Sequence, residues 1–118
     1  ALGLPVDSNY ILVDNGAGFT YTSDVADTRP LWLKALKAGY RVMAMAGDLD
    51  ANVNMFATQD IFVDMWRQAG YTQTQAWRPW TLDGKKHMGG YAIQWAGGNA
   101  SYVTFRGSGH MIPEYKAH

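Results

Sequence analysis

An α/β fold follows from the order of the elements and from the character of one strand. The chain reads as helix, strand, helix, hairpin, strand, and its run Tyr40-Arg41-Val42-Met43-Ala44-Met45-Ala46 is nearly all apolar. Such a run is expected of a strand buried on both faces, as in a parallel sheet covered by helices. Helices followed by inserted antiparallel strands fit the C-terminal half of such a sheet. The 118 residues suit a single compact domain, and 47% hydrophobic with 14% aromatic residues can fill a core.

The elements are justified in turn. Residues 1–29 are the least patterned. Tyr10-Ile11-Leu12-Val13 predicts a short strand, and Asp14-Asn15-Gly16-Ala17-Gly18 a plain turn. Gly16 and Gly18 fit part of a dinucleotide fingerprint, but Tyr21 stands where its third glycine belongs. Asp27-Thr28-Arg29-Pro30 opens a helix, because Pro30 suits a first turn whose N–H groups need no partner. Leu31, Leu33, Ala35, Leu36 and Ala38 carry the helix, Lys34 and Lys37 complement its C-terminal dipole, and Gly39 stops it. The apolar strand follows and ends at Gly47-Asp48-Leu49-Asp50.

A second helix is predicted from about Asn54 to Ala69. Met55, Phe62, Met65, Trp66 and Ala69 fall on one core-facing stripe, and Gly70 closes it. Gln75–Thr81 alternates as a strand, but Pro79 cannot donate to a ladder, so this strand lies at an edge or is interrupted. Asp83-Gly84 turns the chain back into Gly90–Ala96. Gly97-Gly98-Asn99 turns again, and Ser101–Phe105 leads into Gly107-Ser108-Gly109-His110.

Composition excludes several functions. Ten basic residues balance ten acidic ones and form no basic run, which argues against electrostatic nucleic-acid binding. No apolar run approaches the 18 or so residues of a membrane span, and no signal peptide is evident. Nine of the ten acids are Asp, a residue of turns and caps. The absence of cysteine removes disulfide and thiolate chemistry from this segment. Asn99-Ala100-Ser101 is an N-glycosylation sequon in a Gly-rich turn. No metal site is expected: Asp48-Leu49-Asp50-Ala51-Asn52 has Val53 and Gln59 where a calcium loop needs Gly and Glu, and His87 and His110 are far apart in sequence with no Cys. No cofactor is expected either.

Chemistry is expected in the two loops that follow apolar strands, since open α/β sheets collect their sites beyond the carboxyl ends of strands. One loop holds Asp48 and Asp50, and the later one holds His110. An Asp and then a His, in this chain order, form the second and third parts of a nucleophile–Asp–His triad. An imidazole, with an ordinary pKa of about 6.5, takes a hydroxyl proton near neutrality, and the carboxylate fixes its tautomer. The alternative is that both are ordinary loop residues.

Ala46-Gly47-Asp48-Leu49-Asp50-Ala51-Asn52-Val53-Asn54 resembles the G-D-x-D-x-x-x-N segment of serine carboxypeptidases, and Gly107-Ser108-Gly109-His110-Met111-Ile112-Pro113 resembles their G-x-G-H-M-V-P segment. Between them, Trp77-Arg78-Pro79-Trp80, Asp83-Gly84-Lys85 and Gly89-Gly90-Tyr91 resemble that family's hairpin, so the likeness covers residues 40–113 in order. It implies an α/β-hydrolase fold and release of C-terminal amino acids from peptides. Asp50 would orient the imidazole, His110 would act as general base and then acid, and Asp48 would be structural. Asn52 and Val53 match positions lining the pocket for the residue before the scissile bond. Met111 matches a position lining the pocket for the leaving residue. A secreted, lysosomal or vacuolar location is implied as well.

The departures matter equally. No G-x-S-x-G elbow exists here, and the family's cysteines are missing. Residues 1–118 are therefore expected to be one partial domain, the C-terminal segment of the enzyme. The Ser would lie on an upstream portion or a partner chain, without which the sheet is incomplete and the segment inactive. A homodimer of the whole enzyme is compatible with the resemblance. Carboxypeptidase-like acyltransferases and hydroxynitrile lyases share these motifs and remain alternatives, as does a non-catalytic homologue.

Overall fold

The structure is a computed structural model that describes Thr22, residues 24–84 and residues 86–115. The strand expected at Tyr10–Val13 and the turn at Asp14–Gly18 lie outside the described residues, as does Lys85.

Helix α1 spans Arg29–Lys37, with Pro30 in its first turn as expected. Strand β1 (Val42–Gly47) follows, then α2 (Met55–Gln68). Asn54 caps α2: its side-chain oxygen accepts from the backbone N–H of Phe56 (2.9 Å) and Ala57 (3.3 Å), satisfying donors that have no partner inside the helix. Strands β2 (Gln73–Thr81), β3 (Met88–Trp95) and β4 (Ala100–Phe105) come next, with a short 3-10 turn at Ala96–Gly98. A single helical turn, α3 (Ile112–Tyr115), ends the described chain.

The four strands form one mixed sheet in the order β1-β4-β3-β2. β1 and β4 run parallel, from Val42 opposite Ala100 to Gly47 opposite Phe105. β3 is antiparallel to both β4 and β2. β2 is an edge strand whose pairing slips at several points around Arg78–Thr81 and further back, so Pro79 sits where a missing N–H is tolerated. The turn around Asp83-Gly84 is wide. The Asp83 carboxylate accepts from the backbone N–H of Lys86 (3.1 Å) and His87 (2.8 Å), and its other oxygen pairs with the His87 ring.

Both longer helices pack into one core on one face of the sheet. Leu36, Phe62, Met65 and Trp66 meet Ala44, Ala46, Ile93, Trp95, Ala100 and Tyr102. Alternation along β4 places Ala100, Tyr102 and Thr104 on this buried side. Phe62 lies edge-on to Trp32 (4.9 Å between centroids) and stacks on Tyr102 (6.0 Å).

β1 departs from the expected burial on both faces. Ala44 and Ala46 are buried, but Met43 and Met45 are 52% and 49% exposed. The physical reason is that α1 and α2 share the alanine face, while the described residues cover the methionine face only about halfway. Ala69, expected on the core stripe of α2, is instead its exposed C-terminal cap.

Candidate active site

The parallel pairing of β1 with β4 explains how residues 60 positions apart come together. Both strands end at the same edge of the sheet, so the loop after Gly47 and the loop after Phe105 emerge side by side. Backbone bonds continue the pairing past the strands: Asp48 N–H donates to the Phe105 carbonyl (3.1 Å), and Leu49 N–H to the Ser108 carbonyl (3.0 Å). Gly47 permits this approach, since a Cβ there would stand 2.2 Å from the Ser108 oxygen and 2.4 Å from that of Gly109.

Asp50 and His110 meet across these loops. His110 Nδ1 lies 2.7 Å from Asp50 Oδ2. The Asp50 side chain is 6% exposed, while that of His110 is 60% exposed. The other Asp50 oxygen accepts from the backbone N–H groups of Asn52 and Val53, each at 2.9 Å. Chiefly the Val53 N–H, and then His110, hold the Asp50 carboxyl below its ordinary value. A carboxylate fixed by two backbone donors and facing an imidazole nitrogen favours a ring protonated at Nδ1, leaving Nε2 as the free base. His110 also lines a groove of about 360 Å³, with Met43, Met45, Trp32, Phe62 and Pro113 among its walls.

The other sequence-predicted residues fall in different places. Asn52 and Val53 follow Asp50 directly. Their backbones hold its carboxylate and their side chains face solvent, Val53 45% exposed. Met111, next to His110, is 43% exposed, and its carbonyl accepts from the Glu114 N–H (2.9 Å). Asn99 stands at the opposite end of the sheet, exposed just before β4, with its carbonyl bonded to the Val42 N–H (2.9 Å). Among the described residues, no three His, Asp or Glu side chains are grouped to hold a metal.

Two features escaped the sequence reading. The fit of Gly47 against Ser108 leaves no signal beyond the glycine itself. The Asp83–His87 pairing was foreshadowed only by the i, i+4 spacing in the turn.

The family model for serine carboxypeptidase matches residues 6–118. Serine carboxypeptidase 1 of Hordeum vulgare is 28% identical over 114 residues, covering 96% of this chain and 19% of its own length. Serine carboxypeptidase-like 36 of Arabidopsis thaliana is 32% identical over 84 residues, 71% of this chain and 16% of its own length. Serine carboxypeptidase-like 40 of the same plant is 31% identical over 87 residues, 74% of this chain and 16% of its own length. The chain thus spans less than a fifth of the length of these curated relatives. Its mixed sheet with helices, its motifs and a match that takes in nearly every residue lead to one conclusion: the chain belongs to the serine carboxypeptidase family.

Proposed function

We propose that this chain supplies the Asp and the His of a Ser–Asp–His triad in a serine carboxypeptidase that releases C-terminal amino acids from peptides. The Ser nucleophile lies on a portion of the enzyme outside this chain. The observation that carries the reading is the 2.7 Å contact between His110 Nδ1 and Asp50 Oδ2, built from two loops at the carboxyl ends of neighbouring parallel strands. In this reading Asp50 holds the Nδ1–H tautomer, and Nε2 takes the proton of the Ser hydroxyl as it attacks the scissile carbonyl. The imidazolium then gives that proton to the leaving amine, and a water repeats the sequence, breaking the acyl-enzyme ester to release the shortened peptide and restore the Ser hydroxyl. Asp50 stabilises the positive ring in both half-reactions.

Asn52 and Val53 are assigned to the pocket for the residue before the scissile bond, and Met111 to that for the leaving residue. All three have side chains at the surface beside the triad pair, open to a substrate. The half-exposed face of Met43 and Met45 is assigned to contact with the rest of the enzyme, which brings the Ser towards His110. The reading also assigns the protein to the secretory route, lysosomal, vacuolar or secreted, with a glycan on Asn99. A mass decrease on enzymatic deglycosylation, abolished by Asn99→Gln, tests the last point.

The experiment for the whole reading is an assay of the complete enzyme with a peptide blocked at its N-terminus. Mass spectrometry should show stepwise loss of C-terminal residues, and His110→Ala should stop it. Transfer of the acyl group to an alcohol in place of water would assign an acyltransferase instead. Full turnover by His110→Ala would end the triad reading.

A further inference from the structure

We propose that Asp48 is a positioning residue for His110, acting through the backbone of Gly107; the inference rests on the triad reading and deepens it. Three consecutive ties join the two loops. Asp48 N–H donates to the Phe105 carbonyl at 3.1 Å, the Gly107 N–H donates to Asp48 Oδ1 at 2.7 Å, and Leu49 N–H donates to the Ser108 carbonyl at 3.0 Å. The first and third are backbone bonds that most residue types at 48 and 49 would make. Only the middle tie depends on a side chain, so it is the one that the identity of residue 48 encodes.

The donor in that tie occupies a demanding place. Gly107 adopts φ 68°, in the left-handed region, two residues after β4 ends. A residue there turns the chain sharply, and the direction in which the chain leaves it sets where His110, three residues on, arrives. A bond of 2.7 Å from a backbone N–H to an ionised carboxylate is charge-assisted and directional, suited to holding one turn geometry. On the Asp48 side, the next residue but one is Asp50, whose own carboxylate is fixed by Asn52 and Val53. Asp48 therefore ties the turn that delivers the imidazole to the loop that delivers its carboxylate partner. Because Asp48 is exposed, it contributes little to the core. Its loss should register in the geometry of the Asp50–His110 contact before it registers in the fold. Displacement of a reacting group by about 1 Å costs about 10²-fold in rate.

The test uses the complete enzyme. Asp48→Ala should lower kcat by about 10- to 100-fold with KM nearly unchanged, and should weaken the low-field proton resonance of the Asp50–His110 hydrogen bond. Asp48→Asn keeps an oxygen acceptor at the same reach and should restore most of both. If Asp48→Ala fails to fold, Asp48→Glu decides, because it keeps the charge while displacing the acceptor: a reduced kcat supports the role, and an unchanged one overturns it. Wild-type kcat in Asp48→Ala, or an equal loss in Asp48→Asn and Asp48→Ala, also overturns it. His110→Ala is run alongside. If that variant keeps its activity, the triad reading has failed. If it is inactive while Asp48→Ala is not, only the positioning role has failed.

Discussion

A Cβ placed on Gly47 would stand 2.2 Å from the carbonyl oxygen of Ser108, and Ser108 itself is completely buried. The last residue of the first strand and the middle of the histidine loop are therefore in direct backbone contact. Gly47→Ala should force the loops apart. The expected cost is about 1–3 kcal/mol of stability, as for other overpacked sites, together with loss of the Asp50–His110 contact. Urea denaturation of the complete enzyme, read beside its activity, checks this. A Gly47→Ala enzyme of native stability and activity would show that the loops do not pack this way.

The Tyr102 hydroxyl donates to the Met55 carbonyl at 2.6 Å, tying the middle of β4 to the start of α2. Burial pushes this phenol up to about 12. Tyr102→Phe keeps the stacking on Phe62 and removes only the hydroxyl, so it should cost about 0.5–1.5 kcal/mol, the net contribution of one hydrogen bond. The shift in denaturation midpoint measures it. An unchanged midpoint would mean that this bond adds nothing to stability.

Much of this architecture was legible beforehand, for identifiable reasons. Pro30 and Gly39 bracket α1, Asn54 and Gly70 bracket α2, and Pro79 marks an edge strand; each is a local backbone effect written in one or two residues. The Asp50 and His110 loops were legible through their motifs. What was not legible is long-range. Nothing local states that Val42 pairs with Ala100, and it is this pairing that makes the two loops neighbours. Nor could an all-apolar strand reveal that its alanines face the helices while Met43 and Met45 look outward. Both kinds of residue read as apolar, and sidedness is decided by what packs against them.

The carboxyl of Asp50 is held below its ordinary value of 3.8. A group depressed in the folded state stabilises the fold above its unfolded pKa of about 3.9, and that contribution is lost as pH falls through the lower folded value. Asp50 should thus remain ionised and paired at pH 5, where acidic compartments operate. Asp50→Asn should lower kcat by about 10⁴-fold by favouring the wrong imidazole tautomer. The stability difference between wild type and Asp50→Asn should persist from pH 7 to pH 5 and shrink only below about pH 4. Denaturation series at several pH values check this, and a difference that disappears between pH 7 and pH 5 would contradict it.

Met43 and Met45 leave roughly half their surface in water on one face of the sheet. Completing the burial of such half-covered side chains is worth about 0.7–1.5 kcal/mol each, and an open apolar face promotes association. The isolated 118-residue chain should therefore aggregate or melt without cooperativity. Light scattering with thermal denaturation is the check. A monomeric chain with a sharp melt would show that this face needs no covering.

The most direct test of the Asp50–His110 pair is the rate at which a fluorophosphonate labels the complete enzyme. Only an activated Ser reacts, so wild type should label at a single serine outside this chain. His110→Ala should label at least about 10²-fold more slowly, having lost its general base. Equal labelling rates in the two proteins, or a labelled serine within these 118 residues, would contradict the assignment of Asp50 and His110 to the triad.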